Sequence, residues 1–261
     1  MRAVATRRCV VILAGACAAA SAHAAPLSRT DHWVVTPTLS ASHLDNGRDD
    51  WRGAELDVLY KASPSLRFGG DLERRQRGAL SDTLWTASVS ANPSRAWEWH
   101  AAVSAAPGAD FSAQLGVSAG AEWRASRALS LLLDYRQLRF NAGSVQEVRP
   151  GVIVWFGDAT WMTLRYADGK AFGTTAYQSR SLRLDHVFAG QDRLTLVYAH
   201  GADPERDAQL PGVLLTKADL YAATWRIPLN RTFALVVGAD HEDRKPYYTR
   251  TGALLGVAMA F

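Results

Sequence analysis

From about residue 32 onward, apolar and polar side chains alternate with a period of two, in runs of roughly 10 to 14 residues. The runs recur about every 17 residues and exceed the ~5–6 residues usual for strands of globular sheets. They predict strands over 32–43, 51–61, 65–77, 81–92, 95–105, 112–125, 128–140, 144–156, 159–168, 176–188, 192–202, 214–227, 231–243 and 247–261. The count is about fourteen, with twelve as the alternative. One set of connections is short, such as Ser63-Pro64-Ser65, Ser126-Arg127 and Gly157-Asp158; the other is longer, including Asp45 to Asp50, Ala106 to Asp110, Gly169 to Thr175 and Gly201 to Gly212. Long alternating strands with short turns on one rim predict an all-β fold, a transmembrane antiparallel β-barrel whose short turns face the periplasm.

Aromatic placement is a second signal. Trp33, Tyr60, Phe68, Trp97, Trp123, Phe156, Phe188, Trp225 and Phe233, with Phe261, fall near the short-turn ends and share the parity of the apolar face. Amphipathic rings sit best at a membrane interface, so this set predicts a periplasmic girdle. Trp51, Trp85, Tyr135, Tyr166, Tyr177, Tyr198, Tyr247 and Tyr248 suggest a looser girdle at the other rim. In the last strand Leu255, Val257, Met259 and Phe261 alternate with Leu254, Gly256, Ala258 and Ala260. A terminal aromatic preceded by apolar residues at every second position is the pattern read by the barrel-assembly machinery. The strand that carries it must also close on the first, because lipid cannot satisfy open backbone groups.

The polar parity then faces a lumen. It carries Glu55, Asp57, Arg67, Asp71, Glu73, Arg75, Glu98, His100, Glu122, Arg124, Asp134, Arg136, Glu147, Arg149, Arg165, Arg183, Asp185, Arg226 and Asp240, with both signs interspersed. The favoured reading is an ion-paired, partly filled interior; an eyelet that selects charged solutes is the other. If the turn near Asn141-Ala142 pairs Phe140 with Gly143, Arg136 faces Glu147 and Asp134 faces Arg149, which makes these four the candidate lumen ion pairs.

Before the barrel lies an export signal. Arg2, Arg7 and Arg8 precede an apolar run from Val10 to Ala20 that is too short to span a bilayer, and Ala22-His23-Ala24 offers a small-x-small cleavage site. Residues 1–24 are therefore expected to be removed, leaving 25–31 as a short periplasmic segment and 32–261 as the barrel. A lipoprotein signal ending at Cys17 is the rival, with its leucine one position out of place. Cleavage takes Cys9 and Cys17, so no thiol chemistry remains. It also lowers lysine plus arginine from 29 to about 26 against 25 acidic residues, so the precursor's basic balance says nothing of nucleic acid.

Enzymatic constellations are not evident. His100 and Ser104 share a face, but four strand residues separate them by about 13 Å. His186 and His200 share the outward parity with no serine or carboxylate partner in view, and Asp240 and His241 point to opposite faces. No metal-ligand spacing, phosphate-binding glycine loop or cofactor motif is present.

Three stretches, WRGAELDVLYKASPSLRFGGDLERRQR (51–77), LSLLLDYRQLRF (129–140) and VWFGDATWMTLRYADG (154–169), together resemble the YaiO-type outer-membrane β-barrel family. The resemblance implies an outer-membrane barrel and transfers no catalytic residue. Implied partners are outer-membrane lipids including lipopolysaccharide, the barrel-assembly machinery, and a protein of an envelope or polysaccharide system. The leading function is a structural, accessory or limited-transport role, followed by a diffusion channel for small polar or anionic solutes. A lipid-modifying enzyme fits the residues least.

Overall fold

A computed structural model describes residues 32–45, 49–141, 143–173, 175–205, 214–244 and 246–261. The expected signal at 1–24 and segment at 25–31 lie outside the described residues. The strands are β1 (Trp33–Leu44), β2 (Trp51–Ser63), β3 (Leu66–Arg77), β4 (Leu80–Ala91), β5 (Trp97–Ala105), β6 (Leu115–Arg124), β7 (Leu129–Phe140), β8 (Gly143–Phe156), β9 (Thr160–Ala171), β10 (Thr175–Val187), β11 (Arg193–Glu205), β12 (Leu214–Pro228), β13 (Phe233–Arg244) and β14 (Tyr248–Ala260). Each pairs antiparallel with its sequence neighbours, and β14 closes on β1, so the ring has fourteen strands and not twelve. Followed around the wall, the register returns to β1 about fourteen residues along, which corresponds to a strand tilt of roughly 37°.

Polarity is inverted relative to a soluble protein. Leu39 and Leu133 on the outer face are 65% and 57% exposed, whereas Asp185 and Arg244 on the inner face are 0% exposed. Apolar surface facing water costs about 25 cal/mol per Å², so an outer wall of Leu, Val and Trp requires an apolar surrounding. Trp33, Phe68, Trp97, Trp123, Phe156, Phe188, Trp225 and Phe233 stand exposed at the short-turn ends of the strands, and Tyr60 packs its ring 4.5 Å from that of Trp33.

The seam pairs along both of its ends, with a gap in the register at Thr36 and Pro37. Leu255 lies opposite Leu39 and Met259 opposite Val35, with Leu255 and Val257 exposed on the outer face. Phe261 donates its backbone N–H to Trp33 O at 3.0 Å, and its carbonyl accepts from Trp33 and His32 at 2.9 and 2.8 Å.

The opposite rim is tighter than expected at two of its long connections and keeps the short turns that the predicted strand bounds leave at β3–β4 and β7–β8. β9 continues to Ala171 and β11 to Glu205, and the β3–β4 and β7–β8 connections are two-residue turns. The expected start of a strand at 112 is corrected as well: β6 begins at Leu115, and the residues before it turn into the barrel.

Candidate functional site

Two walls and an inward loop define the lumen. On the first wall the β7–β8 register sets Arg136 opposite Glu147 and Asp134 opposite Arg149. Contacts follow the register only in part. Arg136 Nη1 lies 3.5 Å from Glu147 Oε1, and Arg149 Nε approaches the same oxygen at 3.7 Å, a diagonal contact along its own strand. Asp134, 3% exposed, instead takes Arg165 Nε of β9 at 3.4 Å and accepts from His100 Nε2 of β5 at 2.7 Å. The space for that histidine comes from Gly120, where a Cβ would fall 2.2 Å from Asp134 Oδ1 and 2.5 Å from His100 Nε2. Tyr177 of β10 lies across Gly169 and donates its hydroxyl to Glu147 Oε2 at 2.8 Å. The four sequence candidates thus belong to a wider set that includes His100, Arg165 and Tyr177. That wall carries Arg136, Arg149 and Arg165 with Asp134 and Glu147, and Glu122 of β6 acts on Arg165 as well.

The second wall is β2–β3. Its register puts Glu55 opposite Glu73 and Asp57 opposite Asp71, two like-charge pairs in succession on the inner face. Arg75 serves Glu73, with Nε 2.6 Å from Oε1. Among the described residues Glu55, Asp57 and Asp71 form no ion pair within 4.0 Å. Directly opposed like charges destabilise a sheet, and here Glu55 and Asp71 share a side-chain hydrogen bond while Arg67, Arg75 and Arg77 line the cavity on the same wall.

The β5–β6 connection covers both walls. Asp82 of β4, buried at 3% exposure, accepts from the backbone N–H groups of Asp110, Phe111 and Ser112 at 2.9, 3.1 and 2.6 Å. Asn141 Nδ2 donates to Ala109 O at 3.2 Å, and Gly108 supplies the turn with φ of +71°. These bonds draw Phe111 inward, where the Arg77 guanidinium stacks 4.2 Å from its ring and 4.3 Å from that of Trp51. Below the loop a cavity of about 380 Å³ remains, lined by Glu55, Asp57 and Asp71 on one side and by Asp134, Arg149 and Arg165 on the other.

Packed ion clusters flank this cavity. Toward the short turns, Asp185 binds Arg183 and Arg193 at 2.7 and 2.9 Å. On the opposite rim, fully buried Arg244 donates to Glu242, which also pairs with Arg250 at 3.0 Å.

Several expectations change. Trp51, Tyr177 and Tyr248 do not join an outer girdle: their strand parity turns them inward, and Tyr177 and Tyr248 are buried. Trp85, Tyr135 and Tyr166 are exposed on the outer face. His200 does have a carboxylate partner, Asp219 Oδ1 at 2.8 Å, whereas His186 meets neither serine nor carboxylate but Thr160 Oγ1 at 2.7 Å. Each partner lies on a neighbouring strand, so sequence spacing did not reveal it. His241 faces Thr251 while Asp240 pairs inward with Arg250 at 3.1 Å.

With this geometry in place, comparison with solved structures is informative about the wall. The CymD monoaromatic hydrocarbon channel is similar over 88% of this chain and 89% of its own, with 9% identity and a TM-score of 0.61. The fold is that of outer-membrane β-barrels. The translocator domain of the autotransporter NalP from Neisseria meningitidis matches at 11% identity over 95% and 93% of the two chains, TM-score 0.53. OmpF of Salmonella typhi, in complex with daunomycin, matches at 10% identity over 88% and 97%, TM-score 0.50. No family model and no curated protein matches the sequence.

Proposed function

We propose that this chain sits in an outer membrane and has a limited-transport role, a restricted passage for small charged solutes. The observation that carries this is the cavity lined by charges of both signs beneath the Asp82-held loop. An interior meant only to brace the wall gains nothing from opposing like charges at Glu55–Glu73 and Asp57–Asp71. The hydrocarbon named for CymD suits this lumen poorly, because charged groups line it. The resemblance of 51–77, 129–140 and 154–169 to the YaiO-type family stands as part of the same proposal, as do export by removal of 1–24 and delivery by the barrel-assembly machinery.

Planar-bilayer recording of the refolded mature chain tests it. Wild type is expected to show small, discrete conductance, and R136A/E147A a larger one, because two long side chains leave the lumen. A porin-like conductance that the double variant does not change favours an open diffusion channel for small polar or anionic solutes. Silence from both proteins leaves a structural or accessory role.

A further inference from the structure

Across the cavity the carboxylates of β2–β3, which stand among Arg67, Arg75 and Arg77, face Arg149 and Arg165. β2 and β3 lie five to seven strands from β8 and β9 in a ring of fourteen, so Glu55, Asp57 and Asp71 look across the bore at Arg149 and Arg165. On the β2–β3 side Glu55 and Asp71 share a side-chain hydrogen bond, Asp71 Oδ2 is buried without a partner, and none of Glu55, Asp57 and Asp71 has a cationic partner within 4.0 Å among the described residues. On the basic side Arg149 and Arg165 are counted against shared carboxylates, and the Nε of each is buried without a hydrogen-bond acceptor. Both walls therefore have unmet demand, of opposite kinds, across one space. A lone cation would answer only the acids, and a lone anion only the arginines.

We propose that this cavity is a binding site for a small zwitterion, its ammonium end held by Glu55, Asp57 and Asp71 and its carboxylate end by Arg149 and Arg165. The proposal rests on the restricted-passage reading and names its solute class. Size sets a second condition. Fourteen strands with this stagger give a backbone radius of roughly 12 Å. Subtracting the reach of an arginine, a carboxylate and two hydrogen bonds leaves room for charges roughly 6 Å apart, about the span of two residues. A dipeptide meets that spacing better than a single α-amino acid, and a cavity of about 380 Å³ holds it. Charge-assisted bonds at both ends then orient the solute across the bore.

Liposome swelling with the refolded mature protein reads this out, using glycylglycine, N-acetylglycine (no ammonium) and glycinamide (no carboxylate). Glycylglycine is expected to enter several-fold faster than either analogue. E55Q/D71N should remove its advantage over N-acetylglycine, and R165Q its advantage over glycinamide. Removing opposed acids relieves repulsion, so E55Q/D71N should still show the heat-modifiable band of a folded barrel. Equal entry of all three solutes overturns the site and leaves the passage standing, as does a variant that slows all three alike. If nothing enters, the passage reading fails, and calorimetric titration of the protein with glycylglycine decides the site separately. Binding weakened in E55Q/D71N and in R165Q sustains it, and no binding ends it.

Discussion

Asp185 is fully buried and accepts from Arg183 Nε at 2.7 Å, Arg193 Nη2 at 2.9 Å and Thr195 Oγ1 at 2.6 Å. Replacing it with alanine leaves two guanidinium groups crowded together without their carboxylate. Breaking a buried pair in this way costs about 3–5 kcal/mol. D185A should therefore lower the urea midpoint of the refolded barrel markedly, and an unchanged midpoint would show that the cluster is solvated and contributes little. Parity along β10 made Arg183 and Asp185 readable as lumen residues. Arg193 escaped, because it opens β11 directly after a turn and no preceding alternation assigns it a face. His100 was legible as an inward residue, but its contact with Asp134 depends on the missing side chain at Gly120, a packing fact that alternation does not encode.

At the scale of elements, how tightly a connection turns decides what alternation can reveal. The β7–β8 turn has two residues, so its register follows from the sequence, and Arg136 meets Glu147 where pairing Phe140 with Gly143 puts it. The β11–β12 connection spans 206–213, and spacing across it says nothing of Asp219 standing opposite His200. The 106–114 segment is legible only in part, because its last residues continue the alternation of β6. The three N–H groups that bond Asp82 outweigh that pattern. D82A should leave those N–H groups without an acceptor, release the loop from the bore and raise single-channel conductance. Conductance equal to wild type would mean that Phe111 and Arg77 hold the loop without help. The closing element yields its own test. Deleting Phe261 removes three backbone hydrogen bonds with His32 and Trp33 together with the terminal ring, so outer-membrane yield should fall. A normal yield would show that Leu255, Val257 and Met259 suffice for assembly.

For the molecule as a whole, the inverted polarity was the most legible property, because lipid outside and charge inside impose one parity on every strand. The facing of the β2–β3 carboxylates toward Arg149 and Arg165 was not, since it depends on which strands face one another across a closed ring. A closed wall with this many backbone bonds should resist detergent, so unboiled and boiled protein are expected to migrate differently in gels, with β-type circular dichroism. Identical migration together with a helical spectrum would contradict the barrel. Closure has another consequence. His32 and Phe261 are bonded neighbours on one rim, so a linker of a few residues would join them. The chain could then be opened instead at 229–232, on the same rim, and the wall would keep every strand pair while β12 became last in sequence. Such a circular permutant separates two roles that coincide in β14: shutting the ring, and presenting a chain end to whatever inserts the barrel.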